Sequence, residues 1–355
     1  MRDPAFWRGK RVLLTGHTGF KGGWAALMLQ EMGAEVTGLA LAPEPMPCLF
    51  DKAEVGSSLQ SIIGDIRDAE TVDRALATSR AEIVLHCAAQ AIVRDGYKDP
   101  VATYATNVMG TVHVLDAIRR SKHVRAALVV TSDKCYENRE WLWPYRENEP
   151  MGGHDPYSSS KGCAELVVAA YRQSYLAEAG IGLASARAGN VIGGGDWSKA
   201  RLVPDLIRGL SAGEPILIRQ PDAIRPWQHV MDALLGYFQL VEKLWHDPKV
   251  FAQGWNFGPD DASAMTVRAI ADLLVREWGD GAAWQQDEQA GPHEAQMLRL
   301  DSSRARALLG WQPAYGVEQA ITSIVEWHKA DLAGETMLNV TRAQIKAHKA
   351  CGAIS

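Results

Sequence analysis

No apolar run in this chain approaches the ~20 residues that a helix needs to cross a bilayer. The first ten residues, Met1 to Lys10, hold no signal-peptide core. Cysteine is scarce: Cys48, Cys87, Cys135, Cys163 and Cys351 are odd in number and scattered. They argue against a disulfide framework or a cysteine-based metal site and fit reduced thiols in a cytoplasmic protein. An excess of one charge is missing too. There are 37 Lys and Arg against 42 Asp and Glu, a net charge of −5, so neither a nucleic-acid nor a membrane surface is expected. His229 and His293 have no partner at metal-ligand spacing, and no metal is expected. What remains, 47% hydrophobic and 22% charged over 355 residues, suits one large or two modest globular domains.

What is present starts at Gly16-His17-Thr18-Gly19-Phe20-Lys21-Gly22. The segment lies between an apolar strand, Val12–Leu14, and a helical stretch, Gly22–Met32. Glycines there permit a tight turn and let the backbone approach a pyrophosphate, which then rests on the helix N-terminus. Gly16, Thr18, Gly19, Phe20 and Gly22 are therefore candidate cofactor contacts. An acid usually follows about 20 residues on to hold the ribose 2′-hydroxyl of NAD. Here that region reads Gly38-Leu39-Ala40-Leu41-Ala42, and the first acid is Glu44. His17 and Lys21 could instead tolerate a 2′-phosphate, so the residues leave NAD and NADP open.

Further strands are expected at 35–41, 83–86, 126–131 and 182–186, with helices at 69–78, 103–120 and 158–178. Such alternation predicts an α/β fold, a doubly wound parallel sheet of Rossmann type. After about Arg187 the pattern breaks into a glycine-rich loop and shorter elements. The expected division is a dinucleotide-binding domain over 1–188, with the helix of 228–253 packing back on it. A smaller α/β substrate domain takes 189–227 and 254–330, and 331–355 is a tail.

Tyr157 and Lys161 lie four apart and share one helix face. A tyrosine ionises near pKa ~10. A nearby ammonium favours the phenolate, which makes the pair a candidate general base for a sugar hydroxyl. Ser132, Asp133 and Lys134 add a hydroxyl, a carboxyl and an amine past the end of a strand. Asp133 is a candidate acid, a role that requires burial to keep it protonated. Lys134 has three readings: a base whose pKa burial lowers, an ammonium that polarises a carbonyl while another base acts, or a lysine merely paired with Asp133. Arg201, Arg219, Arg225 and Arg299 are candidate partners for two phosphates.

The glycine spacing, His86-Cys87-Ala88-Ala89-Gln90, Asn107-Val108-Met109-Gly110-Thr111 and Tyr157-x-x-x-Lys161 resemble the extended short-chain dehydrogenase/reductase family over about 10–329. Within it, GHTGFKG at 16–22, TSDKCYEN at 131–138 and DPYSSSKGCAELV at 155–167 resemble the nucleotide-sugar 4,6-dehydratases that act on CDP-glucose. RAGNVIGGGDW at 187–197, RPWQHV at 225–230 and PHEAQMLRLDSSRA at 292–305 agree. The resemblance implies NAD as cofactor and CDP-glucose as substrate. It implies cofactor contacts at Asp65, Ile66, Ala88, Ala89, Gln90 and Asn107. Tyr157 would be the catalytic tyrosine, Lys161 the ribose-binding lysine, and Ser132 the hydroxyl beside the reacting sugar oxygen. Asn190 and Arg225 would face the sugar-nucleotide phosphates. Related dehydratases place glutamate where this chain has Lys134. A homodimer through helices 103–120 and 158–178 is also implied, with Val112, Leu115, Val167 and Val168 either contacting the partner or facing the sheet. A nucleotide-sugar 4-epimerase is the alternative, and would need only Ser132, Tyr157 and Lys161.

Overall fold

A computed structural model describes residues 5–43, 47–214, 216–218, 220–259, 263–279, 281–287 and 298–351. Seven parallel strands form its centre: β1 Arg11–Thr15, β2 Glu35–Ala40, β3 Gln60–Ile63, β4 Ile83–His86, β5 Ala126–Val130, β6 Gly182–Ala188 and β7 Gly254–Phe257. Their order is β7-β6-β5-β4-β1-β2-β3. The chain reverses direction across the sheet between β1 and β4, the switch point where such sheets open a crevice at their C-terminal edge.

Side-chain alternation along the strands builds a separate core on each face. Val12, Leu14, Leu85, Leu128 and Ala186 point to one side, with helices Phe20–Glu31 and Val230–His246. Leu13, Val84, Ala127, Val129 and Leu183 point to the other, with helices Ala69–Ser79, Gly110–Arg120 and Pro156–Tyr171. A period of two feeding both faces is what a doubly covered parallel sheet demands. Leu115 and Val168 are fully buried in this second core. Of the two readings the sequence left open, Leu115 and Val168 thus take the one facing the sheet, while Val112 and Val167 are half-buried.

β7 also departs from the expected division. It pairs with β6 from Gly254–Ser185 to Phe257–Ala188, so residues 254–257 finish the large sheet. A third core lies beyond it, built by helices Leu202–Ala212, Val267–Trp278 and Val317–Leu332 around Ile207, Leu274 and Ile321. Helix Met337–Cys351 closes the chain against the first core. Thr341 Oγ1 accepts from Trp327 Nε1 at 2.9 Å, and His348 Nε2 lies 2.8 Å from Asp232 Oδ1.

Candidate active site

β1 runs into Gly16, whose φ of +81° favours glycine. Its N–H donates to Leu39 O at 2.8 Å. A Cβ on Gly16 would lie 2.7 Å from Ala88 N, and one on Gly22 would lie 2.0 Å from Gly16 O. The turns after β1 and β4 and the start of helix Phe20–Glu31 can nest only without side chains here. That helix starts at Gly19 with no side-chain cap, so its first N–H groups are available to an anion, as a dinucleotide pyrophosphate requires. Thr18 Oγ1 donates to Leu41 O at 3.0 Å. The Phe20 ring packs under Gly193, where a Cβ would come within 3.0 Å of it.

The turn after β4 is held from two sides. Ala88 N donates to Thr15 Oγ1 at 3.1 Å, and the same hydroxyl lies 2.7 Å from His86 Nδ1. Gln90 N donates to Asn107 Oδ1 at 2.8 Å, while Asn107 Nδ2 donates to Gln90 O at 3.0 Å and Ser160 Oγ at 2.8 Å. Asn107 thus clamps the Ala88-Ala89-Gln90 turn to the helix bearing Tyr157 and Lys161. Asp65, expected beside the adenine, accepts from Arg67 N and Nε, both at 2.8 Å, and these bonds hold its carboxyl below the usual range. Ile66 is buried in the core beside Gly110.

The two candidate partners for a 2′-phosphate are not placed for one. His17 is fully buried over Gly38, with Nε2 2.7 Å from Ser61 Oγ. Burial pushes it down to about 4, so it is neutral at pH 7. Lys21 is turned elsewhere, its Nζ 5.7 Å from the Tyr237 ring centroid and within electrostatic reach of Asp133. Glu44 lies outside the described residues.

Asp155 builds the catalytic helix. Its carboxylate accepts from Ser158 N at 3.0 Å as N-cap, with Pro156 in the first turn, an arrangement typically worth ~1 kcal/mol. Tyr157 and Lys161 are then one turn apart and both buried. Lys161 Nζ donates to Val130 O at 3.4 Å, which aims it at the end of β5. There the chain makes a tight turn over Asp133–Cys135, and Ser132 Oγ donates to Asp133 Oδ1 at 2.9 Å. Asp133 is 4% exposed. Burial raises its pKa against the pull of Lys134, Ser132 and Arg225, the direction that suits an acid. Lys134 is half-buried, and its N–H donates to Ser132 Oγ at 3.2 Å.

The phenol departs from the sequence expectation. Burial is the largest influence on Tyr157 and pushes it above its ordinary value, while Ser132's hydrogen bond and Arg201's charge pull it back. Lys161 is itself pushed down to about 8, by burial first and by the charge of Lys21 next. A dehydrated ammonium beside a second cation is a weaker support for a phenolate than a lysine in water would be.

Of the candidate phosphate partners, two face this chamber. Arg225 is within electrostatic reach of Asp133, and Arg201 of Tyr157 and Lys21. Arg201 Nη1 lies 3.4 Å from Asp196 Oδ2. Asn190 follows β6, and its carbonyl accepts from Gln228 N at 3.2 Å. Arg299 is set elsewhere, donating to the carbonyl of Leu142 in an exposed loop. Arg219 and His293 lie outside the described residues.

Sequence reasoning missed what stands behind the site. Glu165, one turn beyond Lys161, accepts from Thr131 Oγ1 at 2.5 Å, Ser185 Oγ at 2.7 Å and Arg187 Nη2 at 2.7 Å. Arg187 Nη1 in turn donates to Tyr136 OH at 2.7 Å, and that hydroxyl to Asn256 Oδ1 at 2.7 Å. The segment 132–134 is thereby pinned on both sides to β6, β7 and the Tyr157 helix. A glutamate on the lysine's own helix face, four residues on, was the available signal.

The GDP-mannose 4,6 dehydratase family model matches residues 13–324. The chain belongs to that family. It is 51% identical over 350 residues to the CDP-glucose 4,6-dehydratase of Salmonella typhimurium, covering 97% of this chain and 98% of that protein. Solved members of the same fold include a UDP-glucose 4-epimerase of Thermotoga maritima with UDP-glucose. Its TM-score is 0.78 at 22% identity, covering 90% of this chain and 99% of that one. A dTDP-glucose 4,6-dehydratase of Bacillus anthracis in complex with NAD gives a TM-score of 0.75 at 19% identity, covering 93% and 100%. These likenesses establish the Rossmann-type α/β fold of this family member, whose sheet order was derived above.

Proposed function

We propose that this chain is an NAD-dependent CDP-glucose 4,6-dehydratase, converting CDP-glucose to CDP-4-keto-6-deoxyglucose and water. The observation that carries the reading is Asp133: a buried carboxyl, held by Ser132, whose pKa is raised, in the turn that also presents Lys134. A 4-epimerase has no C5 or C6 chemistry and no use for a protonated acid there. The half-identical relative of that name supports the CDP assignment. NAD is supported by a neutral His17 bonded to Ser61 and by a Lys21 whose ammonium lies by the Tyr237 ring.

When bound, NAD supplies the electron-pair acceptor for oxidation at C4 and the donor for the return to C6. Tyr157 takes the 4-hydroxyl proton, oriented by the Ser132 hydroxyl. The C4 ketone acidifies the C5 proton. Asp133 gives its proton to the 6-hydroxyl, which leaves as water. Lys134 either takes the C5 proton or polarises the ketone while another base takes it, and a proton returns to C5 as hydride returns to C6. Gly16, Thr18, Gly19, Phe20 and Gly22 would cradle the pyrophosphate. Asp65, Ile66, Ala88, Ala89, Gln90 and Asn107 would line the rest of the cofactor path, and Lys161 would hold its ribose. Arg225, Arg201 and Asn190 would face the substrate phosphates. Arg219 and Arg299 stay substrate candidates from the sequence, Arg299 without the geometric support that Arg225 has.

The homodimer remains part of this reading. Tyr97, Val101, Met109, Leu166 and Tyr175 are large exposed apolar side chains on the helical segments 93–120 and 156–176, a density that suits a partner surface. Free cysteines and the lack, among described residues, of a helix long and apolar enough to cross a membrane accord with a cytoplasmic enzyme.

The test incubates the protein with CDP-, dTDP-, UDP- and GDP-linked sugars and catalytic NAD, following the alkali-induced absorbance of a 4-keto-6-deoxy product. Product from CDP-glucose alone is expected. Product from another nucleotide overturns the CDP assignment, and glucose–galactose interconversion without keto product overturns the dehydratase.

A further inference from the structure

The chamber described above is walled by Tyr157, Lys161, Ser132 and Asp133 from one face of the sheet. A second wall comes from the opposite face. Helix Val230–His246 lies on that side, packed with helix Phe20–Glu31 in the first core. Its Tyr237 is 1% exposed, with its ring edge-on to Phe257 at 5.4 Å and the Lys21 ammonium 5.7 Å from its centroid. The Tyr237 hydroxyl has no hydrogen-bond partner among the described residues. It lies within electrostatic reach of Cys87, Asp133 and Tyr157, which places it at the meeting point of the cofactor path and the reacting sugar.

A buried phenol without a partner is costly, because the hydroxyl leaves water and gains nothing. Tyrosine is retained in such a place where its polar tip meets something the resting protein does not itself provide. Phenylalanine would fill the same volume without that penalty. Burial also keeps Tyr237 far above its ordinary pKa, so it is a neutral donor throughout the working range and cannot duplicate Tyr157 as a base.

We propose that Tyr237 is a ligand-binding residue of the catalytic chamber, donating a hydrogen bond from the far face of the sheet to a neutral oxygen of the bound reactants. Two oxygens share that chemistry: the carboxamide of the nicotinamide and a hydroxyl or ketone of the hexose. The proposal rests on the dehydratase reading for the second and on dinucleotide binding alone for the first.

Tyr237→Phe tests it with three readouts: the Tm of the protein without added ligand, the Kd for NAD by tryptophan fluorescence, and the Kd for CDP-glucose. Removing an unpaired buried hydroxyl leaves Tm unchanged or raises it. A lost neutral hydrogen bond weakens the ligand that made it roughly 2- to 10-fold. A rise in the NAD Kd assigns the carboxamide. A rise in the CDP-glucose Kd with NAD unaffected assigns the sugar. Both constants unchanged, with Tm unchanged or raised, refutes the proposal and leaves Tyr237 a packing residue. If the wild-type protein binds NAD yet makes no keto product from CDP-glucose, the proposed function fails while the NAD measurement still decides Tyr237.

Discussion

Substituting Arg187 by methionine tests whether the ionic network behind the chamber holds it in shape. The Arg187 and Glu165 side chains are 6% and 4% exposed and meet at 2.7 Å. Removing one partner of such a pair strands the other charge in the interior, which costs ~3–5 kcal/mol. At ~2.1 cal/mol/K per residue, 355 residues unfold with an entropy of about 0.75 kcal/mol/K. Arg187→Met should then lower Tm by about 4–7 °C in scanning calorimetry. Adding Glu165→Leu should recover part of that loss, because the stranded carboxylate goes with it. The pair also gives a pH signature. Burial alone would raise Glu165, but Arg187 and three hydrogen bonds outweigh it and leave its pKa depressed. A depressed carboxylate stabilises the fold fully above its unfolded value of ~4.3 and loses that contribution as pH falls through the lower folded value. Wild-type stability should therefore fall below about pH 4.3, and the fall should flatten in the double variant. A drop of less than about 1 °C in Arg187→Met, with the acid limb unchanged, would show that water or a neighbouring carbonyl replaces the guanidinium at no cost.

Tyr157→Phe should reduce kcat by roughly 10²–10⁴ with little change in nucleotide-sugar affinity; steady-state kinetics beside equilibrium binding separates the two, and a loss confined to affinity would contradict the base role. Lys134→Ala should leave oxidation at C4 intact and stall the loss of water. The check is absorbance of reduced nicotinamide, which should accumulate without keto product; no accumulation with normal turnover would remove Lys134 from the mechanism. Arg225→Ala should weaken CDP-glucose binding by ~1.5–3 kcal/mol if its guanidinium bonds a phosphate, measured by calorimetry; an unchanged Kd would assign Arg225 to holding Asp133 alone.

The strands and helices around the site were legible because a doubly covered sheet writes its pattern into short apolar runs. β1, β4 and β5 were found within a residue or two, as was the start of the Tyr157 helix. β3 was not, because Gln60-Ser61-Ile62-Ile63 is a short edge strand of mixed polarity with no face of its own to announce. The segment of β7 was placed with the other half and not read as a strand of the sheet. Periodicity reports that a segment is extended, not which neighbour it pairs with. The place of Lys21 near Lys161, and Tyr237 altogether, were missed for a related reason: each is far in sequence from the site residue it approaches. The available hint was Tyr237 itself, a hydroxyl in the apolar stripe Val230, Leu234, Tyr237, Val241, Leu244, where a phenol needs a reason. The phenol's raised pKa was out of reach of sequence, since it depends on how deeply both members of the Tyr–Lys pair are buried.

The position of β7 bears on how the molecule can be made. A ribosome releases β6 some 66 residues before its neighbour in the sheet, and the helix that covers one face, Val230–His246, arrives between them. Until then β6 shows an unpaired backbone edge and Ala184, Ala186 and Ala188 lack their cover, the condition in which strands recruit other chains. The nucleotide-binding half is consequently not a module that can be cut out at residue 188 and grafted elsewhere. Its last strand and the helix that seals it are encoded in the other half, and the two must be inherited, expressed and engineered as one piece.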